Sequence, residues 1–248
     1  MTHFYTEDLA YIHDVGFSEL AENAASFLLN TLQQPGKNNG LIVNLGCGSG
    51  ILDQKLYAAG YQVLGIDISA DLIVIARQRV PEATFKVESL FTVKIPACIA
   101  VTAIGECLNY LFDENNKKTE RLKLFQRVYD ALSSGGLFLF DIAEPGRVVG
   151  GESYRNFKQT EDWAVLVYGE ENQQQKRLTR WITTFRKVGE LYRRDQEVHQ
   201  LQLLERTEII AELNKIGFHV QVLESYGQLQ FSPGHIGLLA KKLDKLPS

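Results

Sequence analysis

The chain has 248 residues, 45% of them hydrophobic, and its 26 lysines and arginines against 30 aspartates and glutamates leave a net charge of −4. That balance suits one large domain with a buried core and argues against a global positive field that would gather nucleic acid or an anionic membrane. The acidic start MTHFYTEDLAYIHD lacks secretory character, no run nears the roughly 20 apolar residues that span a bilayer, and Cys47, Cys98 and Cys107 lack disulfide or zinc spacing, so a cytoplasmic protein without metal is expected.

In chain order, residues 18–32 place Leu20, Ala24, Phe27, Leu28 and Leu32 on one helical face with Ser18 as N-cap, and the polar tract 33–40 breaks the chain. LIVNL (41–45) predicts a buried strand, 50–59 a helix stopped by Gly60, 62–67 a strand, and 71–79 a helix halted before Pro81. Strands follow at 83–88 and 97–104, then a helix at 117–132 ended by Ser133–Gly136, and a fifth strand at 137–142. Strands and helices alternating at this spacing predict an α/β fold, a parallel sheet covered on both faces. Past the glycine-rich EPGRVVGG the texture changes to antiparallel strands at 163–169, 177–188 and 191–204. A helix at 207–217 and strands at 219–226 and 235–242 close the chain. The insertion is too small to bury its own core and is read as a flap on the main sheet.

The segment VNLGCGSG (43–50) carries the strongest chemical signal. Gly46, Gly48 and Gly50 follow a strand and precede a helix, where missing Cβ atoms allow a tight turn and close approach of a ligand. The spacing is not the G-x-G-x-x-G of dinucleotide folds, which would want glycine at Ile51. Asp67 ends the next strand, where a carboxylate can accept hydrogen bonds from both hydroxyls of a ribose.

VNLGCGSG together with LGIDIS resembles the first motif and the following acidic motif of class I S-adenosylmethionine-dependent methyltransferases, and the resemblance extends over residues 40–142 and the two closing strands. It implies a Rossmann-like seven-stranded, mostly parallel sheet whose last strand is antiparallel, with the small antiparallel β insertion after the fifth strand. The cofactor would be S-adenosyl-L-methionine, lying across the first four strand ends. The resemblance puts Gly46, Cys47, Gly48 and Gly50 beneath the methionine, Asp67 on the ribose, Ile68 on the adenine and Glu88, Ser89 and Leu90 at its amino edge. Ala103, Ile104 and Gly105 would pass near the methionine amine. Asn44 stands where the family usually has an acid, and a mild weakening of cofactor affinity is expected from it. The implied organisation is a single methyltransferase domain: a helical lid at 1–33, a cofactor-binding core at 40–145 and 205–242, and a flap at about 155–204.

Sulfonium methyl transfer needs alignment and desolvation more than a catalytic triad, and a base only where the acceptor carries a proton. Three segments supply candidates. Beyond the fourth strand stand Glu106, Asn109 and Tyr110; in the N-terminal piece stand Tyr5, Tyr11, His13 and Asp14. In the flap, Arg193, Asp195, Glu197 and His199 share one strand face, and Arg180 lies opposite Trp181. His13, Glu106, Tyr110 and His199 are the catalytic candidates, and Tyr11, Asn109, Trp163, Arg180 and Arg193 the acceptor contacts. The expected partner is a small-molecule methyl acceptor, with no nucleic acid. The competing readings are an RNA or protein methyltransferase, a catalytically inactive S-adenosylmethionine-binding regulatory protein and, least favoured by the glycine spacing, an NAD-dependent enzyme.

Overall fold

The computed structural model describes residues 4–32, 39–149 and 153–243. Most of the polar break at 33–40, and Gly150 and Gly151 of the glycine-rich connection, lie outside the described residues. Two helices come first, α1 (Glu7–Gly16) and α2 (Glu19–Leu32). There follow β1 (Leu41–Leu45), α3 (Ile51–Ala58), β2 (Gln62–Asp67), α4 (Ala70–Arg79), β3 (Thr84–Val87), β4 (Cys98–Ala103), α5 (Lys118–Ala131) and β5 (Leu132–Ala143). Four strands make the next group: β6 (Ser153–Gln159), β7 (Trp163–Asn172), β8 (Arg177–Val188) and β9 (Leu191–Gln202). The chain closes with α6 (Arg206–Ile216), β10 (Phe218–Leu223), β11 (Ser225–Tyr226), β12 (Leu229–Gln230) and β13 (His235–Lys242).

The main sheet is Rossmann-like, seven strands in the order β10-β13-β5-β4-β1-β2-β3, with β13 antiparallel to both its neighbours. Its strands are apolar on both faces because helices cover both. Val43, Val101, Phe138 and Phe140 pack with Leu124, Phe125 and Val128 of α5 and Ile209 and Leu213 of α6. Their strand neighbours Ile42, Ala100, Leu137 and Leu139 point the other way, onto Ala24, Ala25 and Leu28 of α2 and Leu52 and Leu56 of α3. The order of strands reverses at β1 and β4, which opens a crevice beyond their C-terminal ends. The glycine turn and Asp67 both lie there.

The second sheet runs β6-β7-β8-β9, antiparallel throughout. Leu9 and Ile12 of α1 seat against Trp163, Val165 and Ile182 on its inner face, and Ala143 and Val148 meet Leu178, Leu201 and Leu203 at its base. It thus buries its apolar face only by leaning on α1 and the end of β5.

Three elements differ from the sequence expectation. β6 has no apolar alternation because it is an edge strand exposed along nearly its whole length. The strand predicted at 219–226 ends at Leu223, and Tyr226 turns into a short hairpin with Leu229. β5 begins at Leu132, not after the Ser-Ser-Gly-Gly turn. Its ladder with β4 jumps from Cys98↔Leu132 to Ala100↔Leu137, so the intervening residues absorb a register shift inside the strand.

Candidate active site

The turn after β1 is held shut from below. Gly46 and Cys47 donate their amides to the Ile66 carbonyl at 2.7 and 2.9 Å, and Gly48 donates its own to Asp67 Oδ2 at 2.8 Å. Asp67 Oδ1 accepts from the Ser69 amide at 2.8 Å. The carboxylate therefore bridges the two turns while keeping an edge toward the crevice. Burial pushes the Asp67 carboxyl above its usual range, and the amides of Ser69, Gly48 and Ile68 oppose that push.

A cavity lies over this turn. Of the residues expected to hold cofactor, Gly46, Gly48, Asp67, Ile68, Glu88, Leu90, Ile104 and Gly105 line it. At Gly48 (φ +55) and Gly105 (φ +96) an added Cβ would meet nothing within 4 Å. These two bare stretches form the cradle.

Gly46 has a different reason to be glycine: a Cβ there would lie 2.3 Å from Cys107 Sγ. Gly50 makes room for Ala76, and Cys47 packs with Ile73, Ala76 and Phe85 rather than facing the cavity. Ser89 is likewise withdrawn, its hydroxyl bonded to Asp113 and capping the Phe91 amide. These placements correct the expectation that Cys47, Gly50 and Ser89 touch cofactor.

Asn44 also turns away. Its amide donates to Asp53 Oδ2 at 2.7 Å and accepts from Thr102 Oγ1 at 2.8 Å, in a site where Asn44 is 2% and Asp53 0% exposed. Burial pushes the Asp53 carboxyl up to about 7, and its Oδ1 has no partner among the described residues. An amide at 44 thus tethers α3 to the sheet, where an acid would face another acid.

A carboxylate that the sequence reading passed over organises the far side. Asp141, fully buried at the end of β5, accepts from the Gly105 amide at 3.0 Å and the Glu106 amide at 2.6 Å. The bonds hold Glu106 at φ +60, a left-handed conformation that costs a non-glycine residue roughly 1–2 kcal/mol. A lone acid closing an otherwise apolar strand, LFLFDI, was the available signal.

Glu106 in turn bonds Arg147 Nε at 3.0 Å and Arg180 Nη1 at 2.8 Å. Despite burial, the two guanidiniums hold its carboxyl down to about 2. Such a group is no base at neutral pH, which corrects its expected catalytic role. Arg180 lines a second cavity but is engaged with Glu106 and, at 3.2 Å, the Tyr154 hydroxyl.

This second cavity opens between α1 and the flap, and it shares Tyr5, His13, Gly105 and Tyr110 with the first. Tyr5 and Tyr110 meet hydroxyl to hydroxyl at 3.0 Å, and burial pushes the Tyr110 phenol up to about 12. Burial pushes the His13 imidazole down to about 4. His199 lines the second cavity, its Nε2 2.8 Å from Glu197 Oε2. Glu197 also takes the amides of Tyr5 and Thr6 at 2.8 and 2.9 Å, so the N-terminal segment is strapped onto the flap.

Four expected acceptor contacts are structural instead. Asn109 joins β5 to β9 by bonding the Ala143 and Gln202 backbones. Trp163 is 4% exposed, packed between α1 and the flap. Arg193 is spent on Asp8 at 2.5 Å, and Tyr11 lies under the Arg186 guanidinium, 4.0 Å from its ring centre.

Comparison with known proteins agrees with this geometry. A family model described as a methyltransferase domain matches residues 42–136. A curated methyltransferase relative from Geobacillus sp. (strain WCH70) is 31% identical over 143 residues, 55% of this chain and 56% of its own length. The chain thus spans little more than half of that relative. A crystal structure of an S-adenosylmethionine-dependent methyltransferase from Clostridium acetobutylicum shares the fold with TM-score 0.79 at 17% identity, covering 95% of this chain and 98% of its own. An amino pentose methyltransferase from Micromonospora echinaspora does so with TM-score 0.74 at 17% identity, over 98% and 99%. Among the described residues no helix is long and apolar enough to cross a membrane. Residues 42–136 are thus similar to a methyltransferase domain, and the chain shares the fold of S-adenosylmethionine-dependent methyltransferases.

Proposed function

We propose that the protein transfers a methyl group from S-adenosyl-L-methionine to a nitrogen or oxygen of a small-molecule acceptor. The observation that carries this reading is the meeting of two cavities at Tyr5, His13, Gly105 and Tyr110, one built over the glycine turn and Asp67, the other roofed by α1 and the flap. The sugar and amino pentose methyltransferases that share this fold support a small acceptor over a macromolecule. So does the net charge of −4, which gives no field for nucleic acid. The three free cysteines suit a cytoplasmic setting.

The donor set fits the cofactor. Asp67 would accept from the ribose hydroxyls, Ile68 and Leu90 would sandwich the adenine beside Glu88, and the Gly48 and Gly105 stretches would pass the methionine portion without side chains in the way. When bound, the cofactor supplies an electrophilic methyl and its own leaving group. The protein's part is alignment and exclusion of water: α1 serves as lid and the second sheet as flap, within one domain, whereas α2, expected as part of the lid, is packed on the face of the main sheet. Holding both reactants in line is worth up to ~7–11 kcal/mol of the barrier. Incubation with tritiated cofactor and a cell extract should label a low-molecular-weight metabolite; label confined to protein or RNA would refute the reading.

A further inference from the structure

Transfer to nitrogen or oxygen leaves a proton to be removed, and most groups around the junction of the cavities are unfit to take it. Glu106 is locked between two guanidiniums. Tyr5 and Tyr110 keep their protons because burial disfavours phenolate. Among the described residues His13 Nδ1 has no hydrogen-bond partner, and burial of the ring disfavours the imidazolium.

His199 differs. It is fully buried on β9 and its Nε2 faces Glu197 at 2.8 Å, while Nδ1 has no partner among the described residues. Its ring lies against Tyr5 at 4.9 Å and Tyr110 at 5.8 Å, the two aromatics that line both cavities. The position is dictated by the fold: the segment after β4 pairs with β9 through Leu111 amide to Gln200 carbonyl at 2.8 Å and Gln202 amide to Asn109 carbonyl at 2.8 Å.

We propose that Nδ1 of His199 is the proton acceptor of the transfer, and that Glu197 is its positioning residue, itself set by the Tyr5 and Thr6 amides. The inference rests on the methyltransferase reading above. The acceptor heteroatom bonds to the methyl carbon while the carbon–sulfur pair goes to sulfur. The acceptor's proton passes to Nδ1, and the imidazolium so formed lies against the Glu197 carboxylate. Glu197 bonded to Nε2–H fixes the tautomer that leaves Nδ1 bare. Because the carboxylate is gripped by the N-terminal strap, the base is complete only with the strap in place. The titratable and charged groups around the ring are Glu197 on its own strand, Arg180 opposite on β8, Tyr5 and His13 from the N-terminal segment and α1, and Tyr110.

The test compares the intact protein with His199→Gln and Glu197→Gln. Long-range proton–nitrogen spectra of the imidazoles should show the Nε2–H tautomer for His199, turning to a mixture in Glu197→Gln. Calorimetry with S-adenosylhomocysteine should give His199→Gln an affinity within about twofold of the intact protein, since His199 does not line the first cavity. Transfer of tritiated methyl to the small-metabolite fraction of a cell extract should fall by about 10²-fold or more in that variant. An Nδ1–H tautomer, or transfer within about threefold of the intact protein, overturns the assignment. Failure of the intact protein to bind S-adenosylhomocysteine or label any metabolite is a different result and removes the underlying reading.

Discussion

Replacing Asn44 with aspartate puts in the acid that the sequence resemblance leads one to expect there, and the structure predicts that it harms the fold. The amide now donates to Asp53 at 2.7 Å, in a site with almost no solvent. In Asn44→Asp that donor disappears and two carboxyls face each other; both ionised at about 3 Å, they would repel by roughly 5 kcal/mol even at an effective dielectric of about 20. The pair therefore keeps a proton. The cost scales from Asp53 itself, whose carboxyl is pushed from 3.8 up to about 7. A second carboxyl in the same dry site inherits a similar push, worth about 4 kcal/mol at neutral pH. The bond within the pair and the Thr102 hydroxyl return part of that, leaving an expected loss of about 2–4 kcal/mol. The folded-state value is the higher one, so the sign follows: stability is fully present below about pH 4, drains as pH rises, and is gone above about 7. Denaturant unfolding of both proteins across this range should show a gap that widens with pH. A variant as stable as the parent at neutral pH, or one that binds cofactor more tightly, would show that Asn44 faces the ligand after all.

Asp67→Ala should weaken S-adenosylhomocysteine binding by about tenfold or more in calorimetry, since it removes the ribose acceptor and frees the Gly48 and Ser69 amides; unchanged affinity would refute the role. Gly48→Ala should fold and lose cofactor affinity, whereas Gly46→Ala should lose stability and regain only part of it in combination with Cys107→Ala, which removes the sulfur contact but leaves the strain of φ +71, as thermal melts would show. Trp163→Ala should cost about 3–5 kcal/mol in unfolding by opening the packing between α1 and the flap. A loss below about 1 kcal/mol would put the ring elsewhere.

The alternation of strand and helix, the glycine turn and Asp67 were legible in the chain because each is local: a period of two or 3.6, a missing Cβ, an acid at a strand end. β6 was not, because an exposed edge strand has no face to mark with apolar residues. Nor were the separate tasks of the three loop glycines, since Cys107 and Ala76 reach Gly46 and Gly50 only through the fold.

The side-chain roles divide the same way. Residue type and spacing alone marked His13, Glu106, Tyr110, His199, Arg193 and Trp163 as able to do chemistry, and that is as far as local information reaches. Which of them face a cavity was decided by partners far away in sequence: Arg147 and Arg180 for Glu106, Asp8 for Arg193, α1 for Trp163, and the N-terminal amides acting through Glu197 for His199. A side chain's charge state and orientation depend on burial and neighbours, and only the tertiary structure supplies both.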